Sequence, residues 1–549
     1  MEAKVLNMQP ITVHLRSNVR SWHGILLCIL ALPAVAGPSC CDSTSSPDTL
    51  SLPLSLLWKT TVANIDQNPQ LPCYAGGTLY FAAGSSILAE NAADGSVVWT
   101  YRGAAAFNTS PAVSGDALYV GSDDDALYKL SLKDGSLVWK QQLSSAIRSS
   151  PAVANGRVCF GSNDGNVYAL DASSGAKVWT YPAGTAVTTP VAISDRGDVL
   201  FVAGDDTLCD LNGDTGQRQW QVPFPDDPTD CPPVFADGVI YVGAGRMLYA
   251  LSPRRGALVW KLQLADNISA PCAVDGSRIY ISTTDDKLTA LTGHGTERWS
   301  AYLPSRGVTR ALPVGNTVFV ATEHGVLTAL SADNGTMQWQ YVVQSTKNVK
   351  AVPLLAANTL FALGSDGSLS AFQRQAQDKT GPVITPSIPQ AGGLFTGTDI
   401  PFTAAVVDEG SGISPKSVTL TVDGKLQTVS YNSAQNGFTK PVTSPTAGLT
   451  PAAYSDGTHT ATITATDWKG NTTTQTWTFT VDNSAPARQA QSQALINSGK
   501  DPSYPYPMPP STDPATRYQQ RQQAQAIWRQ LMQDHQKNGG PMPPTPPSY

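Results

Sequence analysis

Three short acidic runs contain the residue types that hold metal ions in proteins. They are Asp123-Asp124-Asp125, Asp205-Asp206 and Asp285-Asp286. Carboxylate oxygens are ligands for hard cations. Each run, however, lies at a predicted hairpin turn, where aspartate is favoured because its side chain accepts hydrogen bonds from the local backbone. We therefore interpret these runs as turn residues, and the sequence predicts no metal site.

Other reactive side chains show no catalytic arrangement. The six histidines lie at positions 14, 23, 294, 324, 459 and 535, without the spacing of zinc ligands. The adjacent cysteines Cys40 and Cys41 precede the first predicted strand. No set of nucleophile, base and orienting group is legible in the sequence, so we predict no catalytic residue and a protein that is not an enzyme.

Tryptophan recurs at intervals of 39 to 41 residues, and this repeat predicts the architecture. Each interval contains four short segments of alternating polarity, separated by turns with Asp or Asn beside Gly. A sheet of four short strands cannot bury both of its faces alone, so successive sheets must pack on one another, as in a β-propeller. The repeated residues, interpreted as packing residues between sheets, are Trp58, Trp99, Trp139, Trp179, Trp220, Trp260, Trp299 and Trp339.

A second repeated residue, proline, gives the number of blades. One proline marks each innermost strand: Pro72, Pro111, Pro151, Pro190, Pro233, Pro271, Pro313 and Pro353. The eighth repeat lacks its Trp-bearing outer strand, whereas Trp58 precedes the first proline. We therefore predict an all-β, eight-bladed propeller over residues 56–375, closed by an N-terminal strand at residues 57–61 that removes the open sheet edge.

The segment from Tyr168 to Trp179 resembles the repeat of the pyrroloquinoline quinone (PQQ)-like propellers, and variants recur at residues 248–260 and 327–339. The resemblance covers about residues 56 to 373. Lys, Thr, Gln or Ser follows every repeated Trp, so the WD dipeptide of another common propeller family is missing. The fold implied is a propeller of PQQ-like repeats.

This resemblance implies two different functions. Propellers of the BamB type take part in outer-membrane assembly, bind partner proteins and perform no chemistry. PQQ-dependent dehydrogenases hold a calcium-bound quinone in the central funnel, on ligands carried by insertions between blades. Eight uniformly short repeats resemble the first class, so we expect no cofactor, with PQQ and calcium only under the dehydrogenase alternative.

Binding is expected on the loops that join each outer strand to the next inner strand, because these loops converge on the channel mouth. The residue three positions before each marker proline is predicted to face this mouth. Val187, before Pro190, is one of these residues. We predict a rim with basic and acidic sides for an extended peptide or an anionic polymer; simple solvation of the loops is the alternative. The candidate rim residues are Asn108, Arg148, Asp226, Asp227, Asp230, Arg306, Arg310, Lys347 and Lys350.

Residues 1–36 have the pattern of a signal peptide, with basic residues, an apolar run and Ala34-Val35-Ala36 as the cleavage site. This predicts an extracytoplasmic protein that is secreted, periplasmic or at the cell surface, with a tether at residues 37–55. A lipid anchor on Cys40 is the competing interpretation, and it is the one predicted route to a membrane. Cys159 is predicted to be a buried apolar residue, and a bridge between Cys209 and Cys231 is conceivable.

A different all-β pattern follows the propeller. Residues 380–484 predict an immunoglobulin-like sandwich, and the segments 408–413 and 467–471 resemble those of bacterial Ig-like modules. This domain is either a spacer or an adhesive module. Residues 487–549 are rich in Gln, Pro and Ser and predict a mostly disordered tail, with one amphipathic helix at about 514–538.

The net charge is −6. Because nucleic-acid binding depends on a basic surface, we expect no nucleic-acid partner. The leading prediction is an exported, non-enzymatic binding or scaffold protein that contacts envelope or secreted proteins. A PQQ-dependent quinoprotein is the first alternative. A surface adhesin that binds a glycan is the second.

Overall fold

Eight four-stranded antiparallel sheets follow one another along residues 55–373. They belong to a computed structural model that describes residues 50–65, 70–225, 232–343, 351–374, 376–395, 400, 402–433, 437–440 and 454–484. The predicted signal peptide, residues 37–49 of the predicted tether, including Cys40, and the predicted C-terminal helix lie outside these ranges. The all-β propeller predicted from the sequence is confirmed.

The strands of the first four sheets are consecutive in sequence. Sheet one contains β2 (Cys73–Ala75), β3 (Thr78–Ala83), β4 (Ser86–Asn91) and β5 (Val97–Arg102); sheet two β6 (Ala112–Ser114), β7 (Ala117–Gly121), β8 (Ala126–Ser131) and β9 (Leu137–Gln142); sheet three β10 (Ala152–Ala154), β11 (Arg157–Gly161), β12 (Asn166–Asp171) and β13 (Lys177–Pro182); sheet four β14 (Ala192–Ile193), β15 (Val199–Ala203), β16 (Thr207–Leu211) and β17 (Arg218–Pro223).

The next four sheets repeat this order, except at the closure. Sheet five contains β18 (Val234–Ala236), β19 (Val239–Ala244), β20 (Met247–Leu251) and β21 (Leu258–Gln263); sheet six β22 (Ala273–Asp275), β23 (Arg278–Thr283), β24 (Lys287–Thr292) and β25 (Glu297–Tyr302); sheet seven β26 (Leu312–Val314), β27 (Thr317–Ala321), β28 (Val326–Ser331) and β29 (Met337–Val342); sheet eight β30 (Ala351–Ala356), β31 (Thr359–Gly364), β32 (Ser368–Gln373) and β1 (Ser55–Thr61).

The ring closes as the sequence predicts. Strand β1 pairs antiparallel with β32, with Trp58 opposite Ala371 and Thr61 opposite Ser368. The eighth sheet therefore takes its outer strand from the N-terminal side of the propeller. This pairing covers the edge of β32 that would otherwise be free to pair with another chain.

The second and third strands of each sheet carry the core. Their residues are almost all buried on both faces, because each sheet packs between two neighbours. One apolar cluster joins Tyr119 of sheet two to Phe160 of sheet three, for example. The proline markers precede the inner strands or, at Pro313 and Pro353, lie within them. Proline is tolerated there because an innermost strand is an edge strand.

The repeated tryptophans pack across the interfaces between sheets. In six of them the indole N–H donates to a carbonyl in the turn between the third and fourth strands of the following sheet, at 2.9–3.2 Å. These pairs are Trp58 with Ala92, Trp99 with Leu132, Trp179 with Gly213, Trp220 with Pro253, Trp260 with Gly293 and Trp299 with Ala332.

Trp139 and Trp339 depart from this pattern. The carbonyl of Ala172, which stands in the equivalent turn for Trp139, already accepts from Tyr119 and Lys129, and the Trp139 indole N–H has no partner. Trp339, in sheet seven, faces sheet eight, where β32 and β1 are not joined by a turn. Its indole instead donates to Leu54, at 3.1 Å, and to Ser411 of the second domain, at 3.0 Å.

The second domain is a sandwich of two sheets. One sheet has the order β33 (Val383–Ile388), β35 (Phe402–Val407), β39 (Gly437–Lys440) and β38 (Ser430–Asn432). The other has the order β34 (Leu394–Phe395), β41 (Thr472–Val481), β40 (Gly457–Thr466), β36 (Thr419–Val422) and β37 (Lys425–Gln427). A short 3₁₀ helix spans Pro415–Ser417.

Phe402, Leu420, Ile463 and Phe479 fill the core between the two sheets of this domain. A β-sandwich is therefore present between residues 383 and 481. Its assignment to the immunoglobulin-like class stays a prediction.

The carboxylate of Asp210, on β16, is buried at 1% exposure, and neither of its oxygens has a hydrogen-bond partner. Burial, together with the charge of the neighbouring Asp198, raises its pKa from the ordinary 3.8 to about 7, whereas Arg196 and the nearby Trp220 indole oppose the shift. The folded state therefore holds this proton more tightly than the unfolded state. The resulting stability is complete below about pH 4 and is lost as the pH rises through 7.

We expect Asp210→Asn to raise the free energy of unfolding at pH 8 by on the order of 1–3 kcal/mol, because the amide carries no charge to bury. The gain is expected to vanish at pH 4. Thermal unfolding at both pH values measures it, with the exposed Asp205→Asn as the control. An equal gain at both pH values contradicts the assignment.

Candidate protein-binding face

One face of the ring, called the rim face below, carries both the connections between sheets and the turns between second and third strands. Antiparallel order places these two sets of loops at the same ends of the strands. The connections lie against the turns through backbone hydrogen bonds, such as Ile147 N to Ser122 O (3.1 Å) and Glu323 N to Arg306 O (2.9 Å). The rim face is thus built from paired loops.

An apolar side chain anchors several connections. Phe107, Ile147 and Val187 are at most 2% exposed, and each donates its N–H to a turn. A Cβ at Gly121 would lie 2.4 Å from Ile147, so glycine makes room for that anchor. The prediction that Val187 faces the channel mouth is therefore wrong. Its connection is one residue shorter between anchor and proline, which moves the anchor into the predicted rim position.

Two candidate rim residues contact the same turn. Asn108 donates to Asp123 Oδ2 at 2.7 Å, and the Arg148 guanidinium forms an ion pair with Asp123 at 3.1 Å. The hydrogen bond and charge of Asp123 raise the pKa of Arg148. Arg148 thus presents a locally neutralised pair to solvent rather than an isolated positive charge.

The next residue in the same turn has its own partners. Asp124 accepts hydrogen bonds from Tyr128 and from Lys140, the latter at 2.8 Å. Partial burial opposes ionisation, but these bonds hold the pKa of Asp124 below its ordinary value. The bond to Asp124 raises the pKa of Lys140 to about 12. Asp123 and Asp124 of this acidic run therefore make local bonds in and around a turn.

The positive charge on the predicted basic side of the rim is also partly neutralised by an ion pair. Arg306 forms an ion pair with Glu323 at 2.7 Å. Arg310 is exposed and forms no ion pair with any residue that the structure describes. Lys347 and Lys350 lie outside the described residues, as do Asp226, Asp227 and Asp230 of the predicted acidic side. The two-sided rim stays a prediction, centred on Arg310.

Sequence reasoning missed two features that the structure brings together. One is the docking of the sandwich on the ring closure, where Trp339 reaches Ser411. The other is a group of three carboxylates, Asp378, Asp408 and Asp467, with one oxygen from each within 4.8 Å of the others. The segments 408–413 and 467–471, singled out in sequence for their resemblance to Ig-like modules, contain two of these residues.

The described part of the propeller contains four cysteines. Its cysteines, Cys73, Cys159, Cys209 and Cys272, are single buried thiols on different strands or connections, and none is adjacent to another. Burial raises the pKa of Cys159 and of Cys272 to about 12, so both stay neutral. The bridge considered for Cys209 is not formed in the structure, and Cys231 lies outside the described residues.

The fold and the rim face define a closed propeller of PQQ-like repeats. A family model described as Outer membrane protein assembly factor BamB matches residues 55–143, 83–247 and 244–379. These spans cover more than half of the chain. The chain belongs to this family.

Individual relatives match parts of the propeller. The outer membrane protein assembly factor BamB of Yersinia pestis is 30% identical over 148 residues, which are 26% of this chain and 37% of that protein. The serine/threonine-protein kinase AfsK of Streptomyces griseus is 27% identical over 195 residues, which are 31% of this chain and 23% of the kinase. The chain thus spans well under half of the length of these relatives.

Two solved structures align with more than half of this chain. BamB from Moraxella catarrhalis aligns with 60% of this chain and 99% of its own, at 20% identity and a TM-score of 0.49. Quinohemoprotein alcohol dehydrogenase from Comamonas testosteroni aligns with 63% of this chain and 79% of its own, at 15% identity and a TM-score of 0.50. At that identity the second likeness concerns the fold alone.

Among the described residues, no helix has the length and apolar character needed to cross a bilayer.

Proposed function

We propose that this protein is an exported, non-enzymatic scaffold of the bacterial cell envelope, whose propeller offers the rim face to partner proteins. The observation that carries the proposal is the match of the propeller to the outer membrane assembly factor family. The relatives named BamB support partners among the proteins of outer membrane assembly. They also support an extracytoplasmic location, to which the signal peptide pattern of residues 1–36 adds.

The rim face suits this role because its loops are held in place before any partner arrives. Connections are fixed by buried anchors, by backbone bonds to the turns and by pairs such as Arg306 with Glu323. A preorganised surface loses little conformational entropy on binding. Arg310 is exposed on this face, and we propose it as the residue that meets an acidic group of an extended peptide.

We expect Arg310→Glu to weaken capture of envelope proteins about five- to tenfold, because a reversed charge at an interface repels the same acidic group. The measurement is a pull-down from an envelope fraction with the purified protein as bait, followed by titration of the captured partner. The control is Arg255→Glu, an arginine that is also exposed and lies in the turn between β20 and β21, on the opposite face of the ring.

Equal binding by both variants and by the unchanged protein would remove Arg310 and the rim face from the proposal. Loss of binding in Arg255→Glu alone would move the site to the opposite face. Circular dichroism and thermal unfolding of each variant establish that the fold is retained.

The dehydrogenase alternative has the shared fold of quinohemoprotein alcohol dehydrogenase in its favour. Adding PQQ and Ca²⁺ to the purified protein separates the two functions. Quinone absorbance together with dye-linked alcohol oxidation would establish the alternative. Glycan binding in the absence of a protein partner would instead favour an adhesin.

A further inference from the structure

Three carboxylates meet where the sandwich docks on the ring closure. Asp378 lies in the link between β32 and β33, Asp408 directly follows β35, and Asp467 lies in the turn between β40 and β41. One oxygen from each is within 4.8 Å of the other two. The group thus joins the interdomain link to two loops of the sandwich.

Backbone N–H groups orient these side chains. Asp408 Oδ2 accepts from Gly410 and Gly412, the latter at 2.7 Å. Asp467 Oδ1 accepts from Lys469 and Asn471, both at 2.8 Å. Asp378 Oδ2 accepts from the N–H of Ser411 at 2.7 Å. N–H groups from two loops, residues 410–412 and 469–471, therefore set the positions of the oxygens.

No described Lys, Arg or His forms an ion pair with any of the three carboxylates. Asp467 is only 2% exposed. Burial raises the pKa of Asp408 to about 6, and the charges of Asp378 and Asp467 add to the shift. The nearby ammonium of Lys59 donates instead to the carbonyl of Val343, at 3.3 Å. Three close negative charges therefore lack a positive partner in the described part of the chain.

The Ser411 side chain is a second, independent sign of a ligand. It is fully buried, and its hydroxyl oxygen has no hydrogen-bond partner of good geometry. The hydroxyl nevertheless lies close enough to the Asp378 carboxylate to help lower the pKa of that group. A buried hydroxyl without a partner is costly, and a cation between Ser411 and the carboxylates would remove that cost.

The backbone approaches the cluster closely. A Cβ at Gly410 would lie 2.3 Å from the Asp378 carboxyl carbon, so only glycine leaves this space open. A cavity of about 100 Å³, lined by Asp408, Tyr341 and Tyr431 among others, borders the cluster. This volume has room for the waters that complete the coordination of an ion.

We propose that Asp378, Asp408 and Asp467, with the hydroxyl of Ser411, bind one Ca²⁺ ion at the junction of propeller and sandwich. Calcium takes six to eight oxygen ligands in flexible geometry at roughly 2.3–2.6 Å. Carboxylates from three loops, a hydroxyl and waters form such a set. Mg²⁺ is less suited, since it requires near-octahedral geometry and keeps most of its waters.

The ion has a structural consequence beyond its own ligands. The loop of residues 408–412 that supplies Asp408 also accepts bonds from the propeller: the Trp339 indole donates to Ser411, and the N–H of Leu56 donates to Gly410 at 2.8 Å. By fixing this loop, Ca²⁺ holds the sandwich against the strand that closes the ring. The junction is therefore rigid in calcium and loosened without it.

The test is a calorimetric titration of the purified full chain, stripped with EDTA, with CaCl₂ and separately with MgCl₂. We expect one Ca²⁺ per chain, with a dissociation constant on the order of 10⁻⁴ M, as in extracellular calcium modules. Asp408→Asn is expected to weaken binding at least about tenfold. Its amide oxygen still accepts from Gly410 and Gly412, so the loop keeps its turn.

The matched control is Asp171→Asn. Asp171 also accepts turn N–H groups through one oxygen, from Ser173 and Ser174, but it lies in sheet three, away from the cluster. A second measurement follows proteolysis of the junction with and without Ca²⁺, where calcium is expected to slow cleavage in the unchanged protein and in Asp171→Asn only.

Absence of Ca²⁺ binding by the unchanged protein, or equal affinity in Asp408→Asn, would overturn the proposal. Tighter binding of Mg²⁺ than of Ca²⁺ would overturn the choice of ion. Protection from proteolysis that does not depend on calcium would overturn the role of the ion at the junction.

Discussion

Replacing Gly335 by alanine is expected to destabilise the propeller by about 2–5 kcal/mol. Gly335 lies in the turn before β29 with φ of +71°, and an added Cβ would lie 2.5 Å from the Trp299 ring. An alanine in this left-handed conformation costs about 1–2 kcal/mol, and forcing the ring aside costs roughly 1–3 kcal/mol more. Urea unfolding monitored by tryptophan fluorescence measures the change.

Gly156→Ala provides a closely matched control for that substitution. Gly156 has the same φ of +71°, but nothing lies within 4 Å of the Cβ that alanine would add. This variant pays only the backbone strain, so its loss of stability is expected to be about 1–2 kcal/mol. The difference between the two variants isolates the contact of the turn with the indole. Equal losses would mean that Trp299 does not require the glycine.

The ring and its closure could be predicted because the same residue types recur at a fixed interval along the sequence. Seven of the eight marker prolines are followed by a repeat tryptophan, whereas Pro353 is not, and Trp58 precedes the first proline. Assigning the strand of Trp58 to the eighth blade therefore gives every blade one proline and one tryptophan. The packing role of the tryptophans follows for the same reason, since a residue needed in every sheet cannot define one site. What the period could not give is the partner of each indole N–H. A carbonyl in a turn accepts this bond, and turns carry no side-chain pattern that marks it.

The rim was predicted less well, because pairing across loops is not encoded in spacing. Arg306 and Glu323 are far apart in the repeat and meet only because connections and turns share one face. Val187 shows a second difficulty. Because its connection is one residue shorter between anchor and proline than those of Phe107 and Ile147, the residue three positions before the proline is the buried anchor rather than an exposed rim residue. The sequence can identify charged loops, but the side chain that each charge contacts depends on the local register.

The carboxylate cluster was missed for a related reason. Its members come from the interdomain link and from two loops of the sandwich that are distant in sequence. The acidic runs that attract attention in the sequence lie in turns, where Asp124, for example, accepts hydrogen bonds from Tyr128 and Lys140. One sequence feature could have indicated the cluster. Asp408 and Asp467 each begin one of the two segments that resemble Ig-like modules.

Trp339→Ala is expected to be the most disruptive of these substitutions, with a loss of about 3–5 kcal/mol in the free energy of unfolding. Trp339 is 0% exposed and packs against Phe372 and Tyr341. Its indole also joins the closing segment at Leu54 to the sandwich at Ser411. Removing it opens a cavity and breaks the contact between three parts of the chain at once.

Two companion variants separate these effects. Trp99→Ala removes a comparable ring whose N–H reaches only the next sheet, at Leu132, so it is expected to destabilise the propeller without freeing the sandwich. Trp339→Phe keeps most of the ring but leaves the carbonyls of Leu54 and Ser411 without this donor, at a cost of about 1–3 kcal/mol.

Differential scanning calorimetry and limited proteolysis between residues 374 and 383 provide the measurements. We expect Trp339→Ala, unlike Trp99→Ala, to expose this link to cleavage while the sandwich still unfolds as a unit. If both alanine variants leave the link equally protected, then Trp339 stabilises the ring alone and the sandwich is held by its other contacts, such as the bond from Trp468 to Gln340.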